Sequence, residues 1–400
     1  MKKTTKYCKK CILKSTTPGI IINKDGLCQV CAGDYKTFDI HKYREEFIEL
    51  IESTIRVSKN KKSHYDVLVF FSGGKDSTYL LYNLKNKYKL NPLAFFVDHP
   101  CVRKQQFENV KKVTKKLKID LKIYKIDEKI FKKTMKYALL HEYKKEKILT
   151  LGCTVCSAFH TWIIGYRYAL EHKIPLVAIG YDISQISFVY APGYIIRKRL
   201  LEKDVAQEII KKACGDSIKG TVYDSDFKKY KKDEFPDVIC PLVVSSRDGG
   251  EIISFLEEKK LLTKKESHPG RTNCEIKQFF CVFSYKHFDS HCCEQQIANE
   301  IRTGYAGNHV RHWLNGNNTR NSSPQNPREE MIKILQEQNI MLSIVVKHKK
   351  IDPKIINTII KKIPTIIKYN DIKYVKFLIS LYHYRVHKFS KYFDIKLENI

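Results

Sequence analysis

The chain is poor in acidic residues: 43 Asp and Glu stand against 73 Lys and Arg over 400 residues, a formal net charge of +30. A surplus of that size favours anionic partners, RNA or an anionic membrane among them, or anionic substrates. The lysines are spread along the whole chain among abundant Ile and Asn, so a solvated lysine surface accounts for them as well. No secretory leader is expected, because Met1-Lys-Lys-Thr-Thr-Lys6 has no apolar segment behind it. Long uncharged runs are scarce too. The longest, Ile148 to Tyr166, approaches bilayer length but holds two cysteines, a histidine and two glycines, and reads as a buried loop and helix. No internal repeat is visible. These absences point to a cytoplasmic globular protein of two to three domains with no membrane span. Its 13 cysteines, without secretory context, argue against a disulfide framework and for thiolates that bind metal or do chemistry.

What is present begins with DVLVFFSGGKDSTYLLYNL, from Asp66 to Leu84. An apolar stretch, Val67 to Phe71, runs into two glycines, and Tyr79, Leu80, Leu81 and Leu84 follow at helical spacing. Strand, turn and helix is the arrangement that grips phosphate. Gly73 and Gly74 allow backbone N–H groups close to an anion, and a helix starting near Ser77 aims its positive end at the same place. Lys75 is expected as an exposed, mobile loop cation, and Ser72 and Ser77 as hydroxyl donors. Asp76 either orients Lys75 or holds Mg2+ across the phosphates. The Walker spacing, with four residues between the first glycine and Gly-Lys, is absent. Ser72-Gly-Gly-Lys-Asp-Ser77 instead resembles the signature of the PP-loop ATP pyrophosphatases. That resemblance implies cleavage of ATP between the α and β phosphates and transfer of AMP to a carbonyl oxygen of a substrate. The plainer alternative is a glycine-rich turn with incidental polar residues; it is disfavoured because strand, loop and helix agree.

Cys8-x2-Cys11 and Cys28-x2-Cys31 are two knuckle pairs sixteen residues apart. The spacing suits a tetrahedral four-thiolate Zn2+ site, with an iron–sulfur or redox role as the alternative. So short a segment cannot bury a core, and metal binding would supply its folding energy. The wording around it, YCKKCILKSTTPGIIINKDGLCQVC, resembles the opening of the bacterial N-acetyl sugar amidotransferases of surface-glycan synthesis. The tRNA 2-thiolation enzymes, which also begin with a zinc ribbon, are similar with less of this wording.

A second set of cysteines lies at Gly152-Cys153-Thr-Val-Cys156, followed by a helix with His160, Trp162 and Arg167. Two buried, inert thiols would explain it. Many PP-loop enzymes place a CxxC at this point, and in the sulfur-inserting members it holds a 4Fe-4S cluster together with one distant cysteine. The resemblance makes Cys274 that partner, after Pro241-Leu242 and a helix Glu251 to Leu262, ahead of Cys214 and Cys240. Three thiolates would leave one iron open. Asp98, at a strand end, is a candidate for the ribose or adenine, or a simple turn residue. Gly180-Tyr181-Asp182 resembles the turn lining the nucleotide and metal side, and Arg271 is a candidate for an anionic substrate or pyrophosphate. Cys281, His287, His291, Cys292 and Cys293 suggest a further metal site without the second CxxC…CxxC ribbon of the thiolation enzymes. Tyr369, Tyr374, Tyr382 and Tyr384 fit a helical packing face better than an RNA surface.

The expected fold is α/β, a doubly wound parallel sheet of the PP-loop type. Strands are expected at Val67 to Phe71, Leu93 to Val97, Leu121 to Ile126 and Leu176 to Ile179, with helices such as Phe107 to Leu117 and Phe159 to Glu171. The expected order is a zinc ribbon at 1–35, a connecting helix at 36–62, the PP-loop domain at 63–290, a linker region at 291–328 and a helical tail at 329–400. The connecting helix should bury Phe47, Ile48, Leu50, Ile51 and Ile55. The resemblance implies adenylation of an acetamido group of a nucleotide sugar, then displacement of AMP by ammonia from a separate glutaminase subunit. The rival is sulfide carried by a cluster on Cys153, Cys156 and Cys274, making a thiocarbonyl on tRNA or a small amide metabolite. A third reading, a zinc-ribbon RNA-binding adaptor, has no use for an intact phosphate loop.

Overall fold

A strand buried on both faces needs a run of apolar residues, not an alternation. Val67–Phe70 is such a run; it forms β1, and its first three side chains are fully buried. The computed structural model describes residues 5–33, 40–59, 63–142, 160–182, 185, 205–224, 227–268, 274–304 and 326–399. Within these, β1 is joined by β2 (Pro92–Asp98), β3 (Asp120–Lys125), β4 (Leu176–Ala178) and β5 (Asp237–Ile239). All pairings are parallel, in the order β3-β2-β1-β4-β5. The strand order reverses direction beside β1, so a crevice opens between the carboxyl ends of β1 and β4, where such sheets bind ligands.

The chain divides into two compact units. The first comprises residues 38–137 and 154–274 and holds the sheet. Its helices are α1 (Ile40–Lys59), α2 (Lys75–Asn86), α3 (Lys104–Leu117), α4 (Glu128–Tyr137), α5 (Ile163–Glu171), α6 (Val205–Cys214) and α7 (Gly249–Glu258). Val69 and Phe71, with Ala94, Phe96 and Ala178, turn to one side of the sheet, where Leu80 and Leu84 of α2, Val110 and Val113 of α3 and Leu256 of α7 pack. On the other side the Phe70 ring meets Trp162 with centroids 4.8 Å apart, and Phe95 meets Tyr168 of α5 at 5.2 Å.

Several elements differ from the expectation for a physical reason. β5 is only three residues long and follows Pro236, too short to show a period. α7 stops at Glu258, short of Leu262, because Lys260 takes a left-handed φ of 55° and the Leu261 amide turns back to the Leu256 carbonyl at 2.8 Å. On α1, Ile51 and Ile55 are buried, but Leu50 is 58% exposed. At about 100° per residue Leu50 lies off the stripe set by residues 48, 51 and 55.

The second unit comprises residues 1–37, 138–153 and 275–400. It contains the cysteine ribbon and helices α8 (Lys277–Phe288), α9 (Glu294–Thr303), α10 (Pro327–Lys347), α11 (Pro353–Lys361), α12 (Pro364–Tyr369) and α13 (Ile372–Phe393). α8 is buried over seven consecutive residues, Phe279 to Tyr285, as a helix apolar on all sides must be. Phe279 stacks on Phe393 of α13 with centroids 6.0 Å apart. Tyr382 is buried in this packing while Tyr384 is exposed, so the tyrosines of the last helix do not form one face. Arg328, near the start of α10, donates to the carbonyls of Cys8 and Cys11, and the helices thereby hold the first cysteine knuckle. No helix among the described residues is long and apolar enough to cross a membrane.

The sheet-to-helix contact at Gly165 leaves no room for a methyl: a Cβ there would run into the Phe70 ring. Gly165→Ala should cost roughly 1–3 kcal/mol through forced repacking. A thermal midpoint equal to that of the wild type would show that Phe70 yields freely.

Candidate functional site

The turn after β1 is shaped by two glycines. Gly73 has φ of +73°, and a Cβ on it would sit 2.6 Å from the Gln106 carbonyl, so the position suits glycine alone. Gly74 is the N-cap of α2 and offers no side-chain cap. The first-turn amides of α2 therefore face the mouth of the turn uncapped by a side chain, the arrangement that binds anions at a helix N-terminus. Ser72 and Ser77 hydroxyls lie 3.1 Å apart across this mouth. At the end of β4, a Cβ on Gly180 would lie 3.1 Å from the Ser77 Cα and amide nitrogen. Gly180 is thus what lets the β4 end close against the start of α2. Asp182 is buried two residues further on, and its Oδ1 accepts the Gln185 amide at 3.1 Å. Asp98, half-buried, ends β2.

Lys75 is not the exposed loop cation expected from the sequence. α2 begins at Lys75, earlier than the pattern suggested, and the lysine side chain is 5% exposed and ion-paired to Asp76. Burial of the lysine makes the pair structural, because removing one partner leaves the other charge uncompensated.

Two residues that hold the loop were not anticipated. On α3, Asn109 is fully buried and donates to the Gly73 carbonyl at 2.8 Å and to the Glu266 carbonyl at 3.1 Å. Gln106 is 5% exposed and donates to the Ser72 carbonyl at 3.4 Å. The signal was available: both amides share the buried stripe of α3 with Val110 and Val113, and a polar side chain on such a stripe must have a partner.

His99, directly after β2, was also missed. Its Nδ1 accepts the Cys101 amide at 3.2 Å, which leaves the proton on Nε2, and Nε2 lies 3.6 Å from the Cys274 sulfur. The ring stacks on Phe131, and burial pushes its pKa down to about 4, so it is neutral near pH 7. Cys274 is therefore a half-buried thiol with a fixed hydrogen-bond donor, at the sheet edge that carries the glycine turn. Its proposed partners Cys153 and Cys156, and Arg271, lie outside the described residues. Cys240 and Cys214 are buried thiols with pKa values raised by desolvation, and Cys214 contacts Thr134. Arg167 pairs with Glu171 at 2.6 Å and reaches the Thr221 carbonyl. His160 is fully buried, with Nδ1 2.8 Å from the Tyr223 hydroxyl and no partner on Nε2 among the described residues.

In the second unit, Cys8, Cys11, Cys28 and Cys31 bring their sulfurs within 4.8 Å of one another. Cys11 and Cys28 are 3.8 Å apart, matching the edge of a tetrahedron with metal–sulfur bonds of about 2.3 Å. The Cys28 sulfur accepts from Cys11 and Cys31, which pushes its pKa down and that of Cys11 up, with Arg302 adding positive potential. Three buried sulfurs and one half-buried sulfur brought this close together are a site built for a divalent cation. The N-terminal cysteine cluster thus fits a zinc ribbon.

Two outcomes follow from this geometry. Lys75→Ala should lower stability by on the order of 1–3 kcal/mol, since Asp76 loses its partner; chemical denaturation with an unchanged midpoint would contradict the buried pair. Burial holds His160 neutral, with its pKa pushed down to about 3 from 6.5. The unfolded chain then takes up more protons between those values, so His160 contributes stability that is lost as pH falls below 6.5, on the order of 2 kcal/mol by about pH 4.5. His160→Gln should flatten the fall of the melting temperature across that window; an equally steep fall would contradict the assignment.

Among known proteins, residues 45–150 match the PP-loop domain family. Over 125 residues the chain is 35% identical to an uncharacterized protein of Methanocaldococcus jannaschii, covering 30% of this chain and 43% of the relative. The chain thus spans less than half the length of that curated relative. The structure is also similar to the U34-tRNA thiolase NcsA of Methanococcus maripaludis with its 4Fe-4S cluster, at 20% identity and a TM-score of 0.32 over 75% of this chain and 87% of that one. For the NH3-dependent NAD synthetase of Campylobacter jejuni the identity is 16% and the TM-score 0.32, over 79% of this chain and 100% of the other. The stretch of this chain that carries β1, the glycine turn and α2 is a PP-loop domain.

Proposed function

We propose that this chain is an adenylating enzyme that cleaves ATP between the α and β phosphates and transfers AMP to a carbonyl oxygen. The observation that carries the reading is the turn itself: a positive-φ glycine, a helix start with no side-chain cap, and two facing hydroxyls at the crevice where the strand order reverses. Pyrophosphate is the product such a cradle holds, since uncapped amides stabilise charge as it moves onto the leaving group. The acceptor carbonyl oxygen attacks the α-phosphorus, the bond to the bridging oxygen breaks, and pyrophosphate leaves. Bound Mg2+ would neutralise charge across the phosphates, with Asp76 and Asp182 the carboxylates at hand. Asp98 and Gly180 border the same edge and are assigned to the nucleotide.

The second half-reaction needs a nucleophile at the activated carbon. The ribbon wording favours nitrogen: ammonia, supplied by a separate glutaminase subunit, adds to the carbon, AMP departs, and an acetamido group of a nucleotide sugar becomes an amidine. One observation favours sulfur as a second reading. Cys274 sits on the sheet edge under a fixed Nε2–H donor from His99, as a working thiolate requires. With Cys153 and Cys156 it would hold a 4Fe-4S cluster, whose open iron would carry sulfide to tRNA or a small amide. An RNA-binding adaptor without turnover is disfavoured by the intact cradle.

Cys274→Ala separates the two nucleophiles. Under the nitrogen reading, the variant makes AMP at close to the wild-type rate, and added ammonium restores amidine product. Under the sulfur reading, it still forms some AMP but loses product entirely, and ammonium does nothing. Product formation with sulfide alone in the wild type would overturn the nitrogen reading. Loss of AMP formation itself would place Cys274 in the first half-reaction and contradict both.

A further inference from the structure

The helical unit contains a second group of potential ligands, away from the ribbon cysteines in sequence and in residue type. Cys281 lies in the middle of α8, and His291 and Cys292 lie in the turn that leads into α9. All three are buried, at 2%, 3% and 2% exposure, and one donor atom from each lies within 4.8 Å of the others. Neither cysteine is in a disulfide. We propose that Cys281, His291 and Cys292 form a second transition-metal site, a thiolate–thiolate–imidazole site of the kind that takes Zn2+, which fastens α8 to the start of α9.

The distances support a shared cation. The His291 Nε2 lies 3.4 Å from the Cys281 sulfur. The edge expected of a tetrahedron with zinc–sulfur and zinc–nitrogen bonds is about 3.6 Å. The Cys281 and Cys292 sulfurs are 2.9 Å apart. They would open by about 0.9 Å to span the sulfur–sulfur edge of roughly 3.8 Å. The Cys293 sulfur is 3.8 Å from that of Cys292 but stands outside the group of three mutually close donors. Burial itself argues for a metal: two sulfurs and an imidazole with almost no exposure gain little from water, and soft thiolates with imidazole select zinc over hard cations.

The ring geometry states what loading must change. The Cys293 amide donates to His291 Nδ1 at 3.0 Å, so the metal-free imidazole carries its proton on Nε2, facing the sulfur. Metal binding moves that proton to Nδ1, gives up the amide contact, and releases the two thiol protons to solvent. The amide contact and the hydrogen bonds among the two thiols and the imidazole are exchanged for three coordinate bonds. Loading is consequently linked to pH and is weakened by acid.

Metal content of the folded full chain tests the site. Elemental analysis and native mass spectrometry of the wild type should find two zinc ions per chain, one in the ribbon and one here. Cys281→Ser should lose one equivalent and keep the other, and Cys8→Ser should lose the complementary one. Because either variant could fail to fold, the wild type is also loaded with Co2+, whose visible spectrum should be the sum of a four-sulfur and a mixed sulfur–nitrogen site. A wild type with one zinc per chain that is lost in Cys8→Ser overturns the proposal. So does a Cys281–Cys292 disulfide in the reduced, folded protein, or a folded Cys281→Ser variant with unchanged zinc.

Discussion

Close backbone approach at the head of α2 is the constraint on which the rest of the sheet unit depends. Gly73 passes under the Gln106 carbonyl, and Gly180 passes against the backbone of Ser77. A side chain at either position would push apart β1, α3 or the end of β4. Once the backbones are in contact, the amides at the head of α2, which have no side-chain cap, face the crevice beside β1 and bring the positive end of the helix to it. The amides of Asn109 and Gln106 then hold the loop carbonyls away from the mouth. The donors of the turn are left to the ligand and the acceptors are taken by the protein.

Thiols are placed by the same economy of charge in both units. In the ribbon, four sulfurs lie within 4.8 Å of one another, and a shared cation offsets the repulsion of their thiolates. At the sheet edge, one sulfur has a neutral imidazole donor that is held in its tautomer by the Cys101 amide. The first arrangement suits permanent metal, and the second suits a sulfur that must respond to a substrate or to a cluster with an open position.

Much of the fold was legible because its signals are local. Val67 to Phe71 reads as a strand, Gly73 and Gly74 as a turn that grips phosphate, and the paired knuckles as a metal ribbon; all three depend on short spacings. What was not legible depends on distant packing. The burial of Lys75 follows from where α2 starts, and the roles of Gln106, Asn109 and His99 follow from α3 and β2 meeting the loop and Cys274. Leu50 stays exposed because α1 buries a narrower stripe than its apolar residues mark out. β5 escaped because three residues after a proline carry no period.

The central claim is that the turn holds a departing pyrophosphate, and the products of ATP report on it directly. Phosphorus NMR of ATP incubated with the full chain, Mg2+ and a fractionated extract of RNA and nucleotide sugars should show AMP and pyrophosphate rising together in equal amounts. Appearance of ADP and inorganic phosphate in their place would mean cleavage at the γ-phosphate, and would contradict the account.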